Sequence, residues 1–172
     1  MVKSEVNEIT REWLLERGAC VWDVDAFLRL FGGAAAPVSL EALERARAAG
    51  LNVLWLGLQM ATPEILAGFI AFTVQQRREL LASHGLGQVA PADWRKRAER
   101  MHREWEDRGD HATRNIAAGL REMARDADIE ATPARAERAA RAAGRLAALT
   151  DGEKAVEDAQ VAWLSEKLEV RS

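Results

Sequence analysis

The sequence predicts an all-α protein, a multi-helix bundle with a compact apolar N-terminal half and long, charged, Ala/Arg-rich C-terminal helices. Apolar residues recur at intervals of three and four along most of the 172 residues, which is the spacing of amphipathic helices. The pair Thr-Pro, a capping hydroxyl followed by a proline that suits the first helical turn, occurs at residues 62–63 and 132–133. No two convincing strands occur that would pair with each other.

The two halves of the chain differ in composition, which suggests two regions. Residues 1–88 hold 8 basic and 10 acidic residues and most of the bulky apolar ones, so we expect an apolar helical core there. Residues 89–172 hold 16 basic and 17 acidic residues, a composition typical of solvated amphipathic helices. We expect these helices to pack on the core or to form a dimer interface.

Three helices are predicted in the first 50 residues. The first spans about residues 10–17. The second carries an apolar stripe at i, i+3, i+4 and i+7 and is stopped by Gly32-Gly33. That stripe consists of Val24, Phe27, Leu28 and Phe31. Ser39 has the position of an N-cap for the third helix, which Gly50 ends.

Residues 51–60 are apolar enough to form either a buried helix or a buried strand. We predict a helix because the chain offers no neighbouring strand, and the strand remains the alternative. Residues 62–64, Thr-Pro-Glu, then start a helix that is apolar on nearly every side over residues 65–74. This helix should be central to the core, and it should end near His84.

An apolar stripe runs through residues 91–127 and stays in phase across Gly109. One long helix, kinked at Gly109, is the simplest prediction. If that helix protrudes, a second chain must cover its stripe, which would make the protein a homodimer. If the C-terminal helices fold back, one subunit buries the stripe by itself. The stripe consists of Trp94, Ala98, Met101, Trp105, Ala112, Ile116, Leu120, Met123 and Ala127.

Two further helices are predicted after residue 130. The first starts at Thr132-Pro133 and has a small-residue face that lets another helix approach closely. This face consists of Ala136, Ala139, Ala140, Ala143 and Ala147, with Leu146 beside it. Thr150 and Glu153 have the spacing of a capping box for the second helix. Its apolar positions are Val156, Ala159, Trp163, Leu164 and Leu168.

Charge and cysteine content indicate the protein's setting. The net charge of -3 gives the whole chain no basic field for nucleic acid or an acidic membrane. The single cysteine, Cys20, excludes an internal disulfide, as is usual in a reducing compartment. Residues 1–5 lack an apolar signal region, and the apolar run at residues 48–63 is too short and polar to span a bilayer. We therefore expect a cytoplasmic protein without a membrane partner.

Candidates for catalysis or ligand binding are few and isolated. Glu99 and His102 have the Glu-x-x-His spacing of metal ligands, but a di-metal site needs a second such pair, so a surface contact between His102 and Glu106 is favoured. Cys20 has no nucleophile signature around it and is expected to be buried. His84 is expected to cap a helix end. Phosphate-loop, nucleophile-elbow and Cys-x-x-Cys motifs do not occur, so we predict no enzyme, cofactor or metal.

One pattern indicates a binding surface. Arg135, Arg138, Arg141 and Arg145 step by three, three and four, so we expect them on one side of their helix, opposite the alanine face. Such a ridge is either a solvated face, a docking surface for an acidic protein, or a row that tracks the phosphates of nucleic acid. The acidic total charge ranks nucleic acid last. We take these four arginines as the candidate partner-binding residues.

Two segments, GACVWDVDAFLRLFG and, five residues later, VSLEALERARAAGLNVLWLGLQM, are loosely similar to helical proteins of phages and bacterial genomes. The similarity covers roughly residues 13–80 and implies an accessory protein of a mobile element, with no functional residue to carry over. Together with the missing catalytic motifs, it leads us to expect a non-enzymatic protein-interaction protein, such as a phage regulator or inhibitor of a host complex. A nucleic-acid-binding protein that uses the arginine ridge and a small enzyme are the alternatives.

Overall fold

A computed structural model describes residues 8–33, 35–86, 89–126, 130–150 and 152–169. Helices hold 79% of these residues, so the all-α prediction is confirmed. Extended structure in this part is one antiparallel pair of strands, β1 (Glu8–Ile9) and β2 (Ala36–Pro37). Residues 1–5 and Ala127, on which predictions were made, lie outside the described residues.

Local capping signals account for many of the helix boundaries. The predicted N-caps Ser39, Thr62 and Thr132 are confirmed, because each hydroxyl accepts the backbone N–H three residues on, at 3.2, 3.5 and 3.3 Å. These bonds satisfy N–H groups that have no partner within the first helical turn. The α-helices in the described ranges are α1 (Arg11–Glu16), α2 (Val21–Leu30), α3 (Leu40–Ala48), α4 (Val53–Met60), α5 (Pro63–Ser83), α6 (Trp94–Arg108), α7 (His111–Asp126), α8 (Pro133–Ala147) and α9 (Glu153–Glu169).

The chain divides into two compact units. Unit 1 lies within Met1–Ala61 and Leu164–Ser172, and unit 2 lies within Thr62–Trp163. The change in composition near residue 88 suggested a different division. By its contacts, α5 belongs with the helices that follow it, because its buried face packs on α7 and α8.

Unit 1 packs its short helices in chain order, α1 on α2, α2 on α3 and α3 on α4. Residues 51–60, which were ambiguous in sequence, contain helix α4, and the helix prediction is confirmed. The Asn52 side chain starts α4 by accepting the N–H of Trp55 at 2.9 Å. Buried side chains of this unit include Trp13, Leu14, Val24, Phe27, Leu43, Leu56 and Leu164.

Unit 2 is built on α5, which packs on α8 and α7, while α7 also packs on α6. Trp163 of α9 stacks on Phe72 of α5, with ring centroids 5.6 Å apart. One apolar cluster of this unit consists of Leu81, Trp94, Ala98, Met101, Ile116, Ala117, Leu120, Met123 and Leu146. Its members come from four successive helices, so each helix is held by side chains of the next.

The single long helix, kinked at Gly109, that was expected over residues 91–127 is wrong, because two separate helices, α6 and α7, lie there. Helix α6 ends at Gly109, whose backbone has a φ of +72°. Glycine adopts this left-handed conformation without a steric cost. Asp110 then starts α7, because its carboxylate accepts the N–H of Thr113 at 2.7 Å. This hydrogen bond to the backbone of Thr113 holds the pKa of Asp110 below its ordinary value of 3.8.

The break lets α6 and α7 pack against each other, and they bury most of the apolar stripe within unit 2. Trp105 is only half-buried and Ala112 is exposed, because both lie close to the turn. A second chain is therefore not needed to cover the stripe. The reason for expecting a homodimer is removed.

The alanine face of α8 is confirmed, since its five alanines and Leu146 are each at most 3% exposed. The neighbouring helix approaches so closely that a Cβ added to Gly119 would lie 2.6 Å from Leu146 Cδ1. Small residues on both helices permit this approach. It fixes the relative positions of the solvent-facing side chains of α7 and α8.

Two details of α9 differ from expectation. Ala159 is exposed, and Gln160 is buried instead at 2% exposure, because position 160 lies nearer the centre of the packed face. Gln160 Nε2 donates to Gln76 Oε1 at 3.1 Å and to the Ala140 carbonyl at 3.4 Å. Thr150 does not take the N-cap position, because it belongs to a 3-10 turn (Ala148–Thr150) with two residues between it and the start of α9, and its hydroxyl donates to the Ala147 carbonyl at 3.1 Å.

Candidate functional site

Five arginines line one cleft between α7 and α8 of unit 2. They are Arg121 and Arg125 from α7 and Arg138, Arg141 and Arg145 from α8. The cleft has a volume of about 360 Å³, and Ala118, Glu122 and Ala142 also line it among the described residues. We call this surface the arginine groove.

The packing of each helix aims these arginines outward. On α8, Arg138, Arg141 and Arg145 are exposed, and their spacing of three and four keeps them on one side. That side lies opposite the buried alanine face. On α7, Leu120 and Met123 are fully buried, so Arg121 and Arg125, one turn apart, lie towards solvent.

Arg135, the first of the four predicted partner-binding residues, is not part of the exposed ridge. It is only 3% exposed. At about 100° per residue it lies about 60° from Arg138 and about 120° from Arg141, which brings it to the side of Leu146. The expectation that all four arginines face solvent is therefore wrong for Arg135, and it holds for Arg138, Arg141 and Arg145.

Sequence reasoning missed the second row, Arg121 and Arg125. The two residues are separated by four positions, and such a pair is weak as a signal in a chain with this many arginines. Only the packing of α7 on α8 reveals that they share a cleft with the ridge of α8.

The groove carries more positive charge than its own carboxylates neutralise. Arg125 pairs with Glu122 at 2.9 Å, and Arg141 pairs with Glu137 at 3.3 Å. Within the described residues, Arg121, Arg138 and Arg145 form no ion pair. The three helices α6, α7 and α8 together hold 13 basic and 7 acidic residues, although the chain as a whole has a net charge of -3.

A second cleft, between α6 and α7, continues the positive surface. Its volume is about 240 Å³, and Arg121 and Arg125 line it from the other side. Arg95 and Glu99 of α6 face them. The two α7 arginines therefore border both clefts, and the charge extends across α7.

The candidate metal ligands Glu99 and His102 are not brought into a larger cluster. His102 lies 3.6 Å from Glu106, so the predicted surface contact is confirmed, and it stacks on Trp105 with ring centroids 5.2 Å apart. In the ranges that the structure covers, no three or more His, Cys, Asp and Glu side chains form a group that could hold a metal ion.

Cys20 was expected to be buried, and it is exposed. It lies at the N-cap of α2, where its Sγ accepts the Asp23 N–H at 3.4 Å and its S–H donates to Asp23 Oδ2 at 3.0 Å. A cap position lies outside the helix, so solvent reaches the thiol. Both residues border a unit 1 cavity of about 250 Å³, which is lined mainly by apolar side chains such as Phe27 and Trp55.

Two further residues, His84 and Trp22, lie outside the clefts described above. Helix α5 ends at its C-cap His84, as predicted, and the backbone N–H of His84 donates to the Leu81 carbonyl at 3.1 Å. Trp22 is 82% exposed on α2, with Val21 beside it at 52%. A tryptophan is usually at least partly buried, and the sequence pattern gave no sign that this one faces solvent.

Comparisons with known proteins give no relatives. No protein-family model, no curated protein and no solved structure matches the chain. The similarity to phage proteins therefore gains no support from them. Among the helices of the described ranges, none has both the length and the apolar character needed to cross a membrane.

Proposed function

We propose that the protein is a non-enzymatic interaction protein that binds an acidic surface of a partner protein in the arginine groove. The observation that carries this proposal is the convergence of five arginines from two helices on one cleft, in which Glu122 is the single lining carboxylate among the described residues. Guanidinium groups suit this task, because each presents a planar set of donors that matches a carboxylate.

An acidic protein fits better than nucleic acid because of where the charge lies. The positive surface is local, and the chain as a whole has a net charge of -3. A short acidic segment of a protein needs only the groove for its contacts, whereas a long nucleic acid needs a positive surface that extends well beyond it. At physiological salt, charges act over roughly 8 Å, so the local groove dominates for a short partner segment.

The proposal is tested by affinity capture from the native host with three versions of the protein as bait. The groove variant carries Arg138→Glu, Arg141→Glu and Arg145→Glu. Exposed ion pairs contribute about 0.2–1 kcal/mol each, so losing three weakens binding by roughly 2 kcal/mol, or about thirtyfold, before repulsion is added. We expect an acidic protein that the wild type captures to be lost from the groove variant.

A control variant matches the groove variant in charge and spacing. Lys96, Arg100 and Arg103 are exposed on α6 at intervals of four and three, and they line neither cleft. Their replacement by Glu lowers the net charge by the same amount. The control should retain the partner. Equal capture by all three baits, or equal loss from both variants, would contradict a role for the groove.

Nucleic-acid binding is the second candidate, favoured by the excess of 13 basic over 7 acidic residues on α6, α7 and α8. It predicts binding of duplex or single-stranded nucleic acid that weakens steeply between about 50 and 200 mM salt. A gel shift at the lower salt concentration tests this candidate. The absence of a shift would remove it, whereas a shift that the groove variant loses and that fades steeply with salt would support it.

A further inference from the structure

We infer that the element which enters the arginine groove is an α-helix of the partner, with carboxylates on one face at intervals of three and four. This inference rests on the proposed function and names the form of the acidic partner. It follows from the spacing of the arginines, from the small residues between the two rows, and from the pairing state of the guanidinium groups.

The spacing of the arginines matches that of a helix. Arg138, Arg141 and Arg145 rise along α8 in steps of about 4.5 and about 6 Å, and Arg121 and Arg125 are about 6 Å apart along α7. A partner helix with acidic residues at i, i+3 and i+7 has the same rises. It can therefore place successive carboxylates against successive guanidinium groups without bending.

Small residues between the two rows permit close approach. Ala118 of α7 and Ala142 of α8 line the cleft between the rows, and Ala142 is 5% exposed. Methyl side chains at this position let a third helix settle between α7 and α8 at an ordinary helix-packing distance of about 8–10 Å. The partner helix should accordingly carry small or apolar residues along the seam beside its carboxylates.

The pairing state of the arginines shows where partner carboxylates are needed. Arg125 and Arg141 already hold Glu122 and Glu137, while in the described part of the chain Arg121, Arg138 and Arg145 form no ion pair. These three belong to both rows of the groove. A helix with a single acidic stripe can meet both rows, because the stripe lies over the cleft between them.

The test uses two synthetic helical peptides of identical composition and one nucleic-acid probe. In the striped peptide, glutamates occupy i, i+4, i+7 and i+11 and alanines form the seam. In the dispersed peptide the same glutamates are spread around the helix. Circular dichroism establishes that both are helical, and a fluorescein label reports binding to the full-length protein by anisotropy at about 50 mM salt. Single-stranded DNA with the same label is the third probe.

We expect the striped peptide to bind at least tenfold more tightly than the dispersed peptide. We also expect at least a tenfold loss with the groove variant, and retention by the α6 control that changes Lys96, Arg100 and Arg103. Arg121→Glu alone should weaken the striped peptide, since it removes a cation from the α7 row.

Each other outcome overturns a defined part of the account. Equal binding of the two peptides would show that the groove recognises charge without helical spacing, which removes this inference and leaves the proposed function intact. If neither peptide binds but the wild type still captures an acidic partner that the groove variant loses, this inference is likewise removed and the proposed function remains. Failure of the peptides together with groove-independent capture would remove both proposals. Tighter binding of the DNA than of the striped peptide would replace the protein partner by nucleic acid.

Discussion

Gly119 determines how closely α7 and α8 approach, and therefore how far apart the two rows of the arginine groove lie. A Cβ at this position would lie 2.6 Å from Leu146 Cδ1 and 3.0 Å from Leu146 Cγ. Leu146 is fully buried within an apolar cluster of unit 2, so the side chains packed around it oppose its displacement. Gly119→Ala should therefore destabilise the protein.

The magnitude follows from two opposing effects. Replacing a helical glycine by alanine stabilises by about 1 kcal/mol through helix propensity. Overpacking a filled core costs about 1–3 kcal/mol. We expect a net loss of about 1 kcal/mol in the free energy of unfolding, which lowers Tm by roughly 2–4 °C in a chain of this size.

Gly144 provides the matched control, because it is also a glycine inside a helix of unit 2. A Cβ there would meet nothing closer than 3.9 Å, an ordinary contact with Glu153. Gly144→Ala should keep the propensity gain and raise the free energy of unfolding by about 1 kcal/mol. The two substitutions are identical in chemistry, and urea denaturation should show opposite signs.

A double-mutant cycle locates the cause. In a Leu146→Ala background the clash is absent, so Gly119→Ala should become stabilising by about 1 kcal/mol. Two results would refute the reasoning: stabilisation by Gly119→Ala in the wild-type background equal to that by Gly144→Ala, or a loss that persists without Leu146.

Three further predictions concern stability. Gln160→Ala should lower the free energy of unfolding, measured by urea denaturation, by about 1–3 kcal/mol, because it removes the buried amide that links α9 to α5 and α8. A change below about 0.5 kcal/mol would contradict this. Asp110→Ala should lower Tm. Since the pKa of Asp110 is lowered in the native protein, the difference in Tm between this variant and the wild type should be largest above about pH 4. It should shrink as the pH falls through the native pKa. A Tm difference that is unchanged in acid would exclude the carboxylate as its cause. Trp94 is 5% exposed, so Trp94→Ala should lower the free energy of unfolding by about 3–5 kcal/mol. Trp22 is 82% exposed, so Trp22→Ala should change it by no more than about 0.5 kcal/mol. Similar losses for the two variants would contradict the environments assigned to them.

Most of the helical framework follows from local signals in the sequence. Thr62 and Thr132 start helices because their hydroxyls satisfy backbone donors within the same few residues. The alanine face of α8 is likewise local, since helical spacing alone groups it. The apolar pattern of residues 51–60 fits a helix or a strand equally well, and the lack of a partner strand correctly favoured the helix.

The misjudged positions depend on contacts between distant residues or on a choice that periodicity leaves open. The stripe over residues 91–127 has the same phase in a straight helix and in two helices joined at Gly109, so only the packing of α6 on α7 decides between them. Gln160 is buried because its amide finds acceptors on two other helices, which a pattern of apolar residues cannot reveal.

The candidate site was predicted in part. The spacing of Arg138, Arg141 and Arg145 correctly indicated an exposed row, because three residues on one side of a helix share one environment. Arg135 was misassigned because it lies at the border between the exposed and buried sides, where a rotation of a few tens of degrees decides its burial. The α7 row could not be assigned from sequence, since it belongs to a different helix.

Cross-linking of the striped peptide tests the central claim most directly. A photoreactive residue in the seam of the peptide, irradiated in complex with the full-length protein and mapped by mass spectrometry, identifies the surface that the peptide occupies. We expect cross-links on α7 and α8 around Ala118 and Ala142, and we expect none of them in the groove variant. Cross-links concentrated on α6 or on unit 1, or spread evenly over the chain, would contradict it.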